Sequence, residues 1–250
     1  MSHLVYCIMR EDGNLPGVCL PLDGGGHSVR VVTEQGLAAA ISQVLDPDIA
    51  PTVGRLQAFA AVVEALHAVG PAGSARTVLP MRYGCLLPTE GRVVALLRER
   101  GPEFAAALDG VEGCAEMSVR AILDEDPIAA ASPRARCDPP DASEGEAYLV
   151  SRKACYARQT LSAQTAAALG ERAVAVFRGL FVRYVSEYSP HPSRPYRVPI
   201  LSLHFLVRRS HVESFRRVFQ VLERSESAKM LLSGPWPPYN FVQPGKGAFP

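Results

Sequence analysis

Twenty-one prolines punctuate this 250-residue chain, yet none falls between Glu144 and Tyr188. Proline removes a backbone donor and breaks a helix interior, so a long helix fits only where it is absent. Gly170 and Gly179 are the only glycines of that stretch after Gly145. It therefore reads as one long helix, or as two helices meeting near Gly170. Ala173, Val176, Phe177, Leu180, Phe181 and Tyr184 take the core positions of its second half. Arg152, Lys153, Arg158, Arg172, Arg178 and Arg183 share their span with a single acid, Glu171. They form either a solvated basic face or a docking face for an acidic partner.

The elements around this stretch are shorter. Leu4 to Met9 is an apolar run ended by Asp12-Gly13-Asn14, which predicts a buried strand. Val29 to Thr33 predicts a second strand. Leu37 to Val44 is a third strand or a helix turn, and Asp46-Pro47-Asp48 stops it. From Thr52 the period becomes helical, with Leu56, Phe59, Ala60, Val63, Leu66 and His67 on one face and Gly70-Pro71 closing the helix. Thr77 to Gly84 reads as a strand leading into a glycine turn. Thr89 to Arg92 reads as a capped helix start. Val93, Leu96, Leu97, Phe104, Ala107 and Leu108 then supply an apolar face across a Gly101-Pro102 break.

Gly110 to Gly113 is a candidate domain boundary. Residues 1–110 carry 8 basic and 11 acidic side chains, and residues 111–250 carry 18 and 14. The opposite signs of the two parts favour their docking. The second part opens with a strand, Cys114 to Leu123, and a surface loop, 124–145. After the long helix come a Pro190–Pro195 break and an apolar strand, Val198 to Val207. A helix from Ser210 follows, with Glu213 completing a capping box. Its inner face is Val212, Phe215, Val218, Phe219 and Leu222, and Lys229 to Leu232 is a short last strand. The expected class is α+β: an N-terminal α+β domain, 1–110, and a C-terminal ferredoxin-like domain, 111–250, ending in a proline/aromatic tail, 234–250.

Composition narrows the function. Apolar residues make up 48% and charged residues 20%, which excludes disorder and fibrous classes. A net charge of +1 gives little attraction for polyanions, so no nucleic-acid partner is expected. Of the basic residues 23 are Arg and 3 are Lys. Codon bias, or a use of guanidinium pairing, accounts for that. Leu4 to Met9 is shorter than a secretory core, and no stretch reaches the ~18 apolar residues of a membrane span, so a cytoplasmic protein without a lipid membrane partner is expected.

Six cysteines stand at 7, 19, 85, 114, 137 and 155, none in a CxxC pair. They read as reduced structural thiols. The six histidines are scattered, so no metal site is expected. No phosphate loop, dinucleotide fingerprint, nucleophile elbow or HExxH pair occurs. Cys85 follows a strand and a glycine, where a nucleophile can sit, but no histidine is near in sequence. No catalytic, cofactor-binding or metal residue is therefore assigned, and the chain is not expected to be an enzyme.

Two segments stand out. In Val78 to Gly84, Pro80 implies a sheet edge or bulge. Arg82 beside buried apolar residues then needs a partner: an ion pair within the chain, or another protein. Pro80, Arg82 and Gly84 together make a structural motif. In Gly234 to Phe241, three prolines frame the only Trp of the chain. That tail either seals the core or presents Trp236, Tyr239 and Phe241 to a partner.

Four segments carry a resemblance: LVYCIMR at the start, VLPMRYGCLL in the middle, EGEAYLVSRKA opening the long helix, and LLSGPWPPYNFV near the end. In that order they resemble the gas vesicle protein F/L family, and the length and simple ends resemble the F type. The resemblance implies two α+β domains, the second a modified ferredoxin-like fold. It implies a non-enzymatic accessory or minor structural protein, located at the gas vesicle and needed to build its gas-filled shell. The implied partners are the small major shell protein and other gas vesicle accessory proteins. Arg172, Arg178 and Arg183 on the helix, and Trp236, Tyr239 and Phe241 in the tail, are the candidate contacts. The rival readings are a ferredoxin-like ligand binder or enzyme with a pocket near Cys85 or His204, and a scaffold whose tail binds a recognition module.

Overall fold

Seven residues in a row, His3 to Met9, are buried. A strand alternates its side chains between faces, so such a run must be covered on both sides. In the structure, a computed structural model that describes residues 2–12, 28–44, 50–68, 75–123, 144–190 and 199–242, this run forms the inner strand of a five-stranded sheet. The strands are β1 (Ser2–Arg10), β2 (Arg30–Glu34), β3 (Leu37–Val44), β4 (Val78–Pro80) and β5 (Leu86–Leu87). The order is β2-β3-β1-β4, with β5 also on β1, and all pairings are antiparallel. The Leu37–Val44 segment is thus a strand. A bulge between Val5 and Cys7 breaks the β1–β3 register.

Helix α1 (Val53–Ala68) lies on one face of this sheet. Phe59, Val62, Val63 and Leu66 pack there with Leu4, Tyr6, Met9, Ala38 and Ala40. Thr52 starts the helix: its Oγ1 accepts from the Arg55 amide at 3.3 Å. Leu56 was expected on the inner face but is 42% exposed; Val62 takes that place. Helices α2 (Glu90–Glu99) and α3 (Gly101–Val111) cover the other face, with Leu37 against Gly101. Thr89 caps α2 as expected, its Oγ1 accepting from the Arg92 amide.

The chain divides into two units, Met1–Glu116 with Pro235–Pro250, and Met117–Gly234. The tail from Pro235 thus belongs with the first unit rather than with the C-terminal domain expected to hold it. Its residues Tyr239 and Asn240 find their partners there, as described below.

The second unit follows the order β6 (Cys114–Ile122), α4 (Glu144–Val176), β7 (Phe181–Ser189), β8 (Ile200–Arg208), α5 (Val212–Ser225) and β9 (Lys229–Trp236). Its sheet runs β7-β8-β6-β9. That βαββαβ order with the first strand inside is the ferredoxin-like arrangement. Met117, Val119 and Ala121 from β6, and Leu201, Leu203, Phe205 and Val207 from β8, meet Ala166, Leu169 and Ala173 of α4, Phe177 just beyond its end, and Phe215, Phe219 and Leu222 of α5. Phe177 stacks on Phe215 with ring centroids 3.9 Å apart.

Three expectations fail here for physical reasons. The long helix stops at Val176, and Phe181 to Tyr188 form a strand. Gly179, at φ +87°, makes the turn. Phe181, Val182, Tyr184 and Val185 are β-branched or aromatic, and they gain more from pairing with β8 than from a helix face. The Ser210–Glu213 capping box does not form: Ser210 sits in a 3-10 turn, His211 precedes the helix without a side-chain cap, and Glu213 accepts from Arg216 at 2.6 Å instead. The last strand runs on to Trp236, past the expected Leu232. Gly70-Pro71, residues 124–143 and the Pro192 and Pro195 break lie outside the described residues.

Candidate functional site

The expected contact residues are spread over different elements. Arg172 lies on α4, Arg178 in the turn that ends it, and Arg183 on β7, so they share no helix face. Arg172 donates through Nε and Nη2 to both carboxylate oxygens of Glu226, each at 2.9 Å. This bidentate bond raises the pKa of Arg172 and lowers that of Glu226. Arg172 is therefore already engaged within the unit. Arg178 is exposed.

The tail is folded inward. Pro237 and Pro238 are buried, Phe241 is 8% exposed and Val242 4% exposed. Phe241 is enclosed and does not present its ring, whereas Trp236 is half-buried. The buried carboxylate of Glu116 holds the tail, accepting from the Asn240 amide at 2.9 Å and from its Nδ2 at 2.7 Å. Tyr239 packs on the α1-side core. Its buried hydroxyl has no hydrogen-bond partner among the described residues. Burial first, then the charges of Glu64, Cys7 and Glu116, push its pKa up.

The Pro80-Arg82-Gly84 motif also resolves. Pro80 lies on β4 opposite Cys7. With β5 on the same side of β1, this is a sheet edge, where a missing amide is tolerated. Gly84 takes φ +87° in the turn between them. Arg82 points to solvent and makes no ion pair among the described residues. The buried, paired arginine of this region is Arg76, whose side chain is 4% exposed and donates to Asp12 at 2.8 Å. Nothing in the sequence around Arg76 signals this, because its partner lies on the far side of α1 in the chain.

Two further groups bear on chemistry. Cys85 is buried, and burial pushes its thiol pKa up, opposite to what an activated nucleophile needs. His204 Nδ1 lies 2.9 Å from Ser118 Oγ, and both residues are buried in the second unit. Among the described residues no cluster of three His, Cys, Asp or Glu is placed to hold a metal ion, and no helix is long and apolar enough to cross a membrane.

Among the described residues α4 carries four exposed large apolar side chains, more than any other element. At ~1.5 Å per residue its 33 residues span about 50 Å. Among the described side chains of α4, Ala166 is the first that is buried. Before that point Leu149 is 65%, Tyr156 55% and Leu161 57% exposed. Arg152 lies over the Tyr156 ring, 5.6 Å from its centroid, and donates to its hydroxyl at 3.0 Å.

These features define a two-unit α+β protein, one unit ferredoxin-like, with exposed apolar side chains on its long helix. The chain belongs to the gas vesicle synthesis protein GvpL/GvpF family, whose model matches residues 2–243. It is 28% identical over 251 residues to Gas vesicle protein F of Streptomyces sp. (strain CB03234), spanning 97% of this chain and 100% of that one. Its fold is similar to the crystal structure of GvpF from Anabaena sp. PCC7120, with a TM-score of 0.73 and 17% identity over 97% of this chain and 96% of that one. GvpF from Microcystis aeruginosa is similar at a TM-score of 0.71 and 14% identity, over 97% and 99%.

Proposed function

We propose that this chain acts in building the gas vesicle shell by binding the major shell protein, and that it does so without a reaction centre of its own. A shell subunit must be strongly apolar on its gas side and is aggregation-prone before assembly. The observation that carries the reading is a set of exposed side chains on α4. Leu149, Tyr156 and Leu161 stand in water beside Arg152 and Lys153, a mixture of apolar anchors and cations that suits protein contact. Other gas vesicle accessory proteins are further partners under this reading, and the gas vesicle within the cytoplasm is its site of action.

The test is capture of the purified shell protein by the full chain. Leu149→Asp with Tyr156→Asp is expected to lower capture at least tenfold, because solvent-exposed positions tolerate Asp while a contact does not. Arg178→Glu is expected to weaken it less, and more so at low salt. Unchanged capture by the double variant removes α4 as the contact. No capture by the unaltered chain removes the shell protein as its partner.

A further inference from the structure

Among the described residues five strands lie at the edges of the two sheets, and four of them are protected; β5, Leu86–Leu87, is only two residues long. β2 has five residues, with Arg30 and Glu34 tied to Glu90 and Arg98. β4 is three residues long and ends in Pro80. β9 contains Gly234, at φ +113°, and Pro235. Proline, short length and charge are the ordinary means of stopping a sheet edge from pairing with another chain. β7 has neither proline nor short length: it runs nine residues, Phe181 to Ser189, with its charges Arg183 and Glu187 inside it, and only β8 pairs with it among the described strands. A register shift between Phe181 and Arg183 disturbs its start, but the pairing with β8 is regular from Arg183 onward.

The pairing with β8 fixes which way its residues face. Tyr184, Ser186 and Tyr188 lie opposite Phe205, Leu203 and Leu201, which belong to the helix-side core. Arg183, Val185 and Glu187 therefore share the other face. Arg183 and Glu187 are both exposed, and Val185 is half-buried midway between them.

We propose that β7 is a self-pairing edge, joined antiparallel to the β7 of a second copy of this chain about a two-fold axis at Val185. That register puts Arg183 opposite the Glu187 of the second copy and Glu187 opposite its Arg183. Opposite charges face each other twice, and oppositely charged cross-strand pairs stabilise antiparallel strands. The same register sets Val182 opposite Tyr188, a β-branched and aromatic pair of the favoured kind. Shifting the axis by one residue sets Arg183 against Val185 or Ser189 and loses both charge pairs. A two-fold contact uses one patch twice, as most homodimers do. It would join the two four-stranded sheets into one sheet of eight, with both sets of helices on one side. A strand pair is a small interface, so the dimer forms and dissociates with concentration.

Sedimentation velocity on the full chain, across a concentration series, tests this. The unaltered chain is expected to shift from monomer to dimer. Arg183→Glu alone places acid against acid, and Glu187→Arg alone places base against base, so each is expected to weaken the dimer roughly tenfold or more. Mixing the two single variants restores both opposite pairs, and the mixture is expected to regain the dimer. That regain also shows that each variant is folded. Three results overturn the proposal: a monomer from about 1 µM to about 1 mM, single variants that dimerise like the unaltered chain, or a mixture that stays monomeric. Binding of an extended peptide by a chain that remains monomeric overturns it too, and makes the edge a site for another protein's strand.

Discussion

The two sheets solve the same problem in different ways. In the first unit helices lie on both faces, and the inner strand β1 is buried from His3 to Met9. In the second unit both helices share one face, and the sheet ends in β7, where Val182 is 51% and Tyr184 46% exposed. A strand covered on both sides must be apolar throughout, so its sequence announces it. An edge strand with one open side mixes apolar and charged residues, and its sequence announces nothing definite.

The sharpest test of that contrast is the aromatic stack of the second unit. Phe177→Ala removes a ring stacked on Phe215 and in contact with Phe205. It is expected to destabilise that unit by about 3–5 kcal/mol. Amide exchange should accelerate in β6, β8 and α5 while β1 and β3 keep their protection. Equal loss in both sheets would mean that the units unfold as one.

The first unit has a weaker point in its tail. Glu116→Ala leaves the Asn240 amide and Nδ2 without their acceptor, at an expected cost of about 1–3 kcal/mol. The fluorescence of Trp236, the only Trp, is expected to move to longer wavelength as the tail loosens. An unchanged emission maximum would show that the prolines hold the tail without Glu116.

Alkaline pH separates the sheets again. Burial pushes the Cys7 thiol from 9.0 to about 12, with Arg76 acting the other way. The folded form keeps the proton that the unfolded form loses, so stability is full below pH 9 and falls as pH rises towards 12. The slope approaches roughly 1 kcal/mol per pH unit. Tyr239 acts in the same direction, since its pKa is also raised. Denaturant midpoints of Cys7→Ala are expected to fall less steeply than those of the unaltered chain over pH 9 to 11.

The smallest effect belongs to the surface of the second unit. Arg172→Ala breaks the bond to Glu226, but Arg172 is more than half exposed and water screens the pair. A loss under about 1 kcal/mol is expected, shrinking further in high salt. Glu226 titrates lower when paired. The contribution is therefore present above its ordinary pKa and fades as pH falls through the folded value, and acid titration of the variant is expected to lack that fade.

Much of the fold was legible because its elements are locally consistent. Leu4 to Met9, the Thr89 cap and the α5 inner face all followed from patterns within single segments. The family resemblance rested on short segments, above all the proline-framed Trp236. The candidate contacts were less legible. Arg172, Arg178 and Arg183 look like one face only if the helix continues past Gly179, and that continuation fails. Tyr239 and Phe241 look available until Glu116, more than a hundred residues earlier in the chain, is seen to hold Asn240. Arg82 reads as a residue needing either an ion pair within the chain or another protein; it is exposed, and the buried ion pair of this region is made by Arg76.

Local pattern settled where apolar runs and helical periods lie, because side-chain spacing and proline placement act over a few residues. The three-dimensional arrangement settled which charged and aromatic groups stay available. Arg172, Arg76 and Asn240 are each bonded to a residue more than fifty positions away. Likewise, Phe181 to Ser189 became a strand because β8 offered it a partner, and no local preference could supply one.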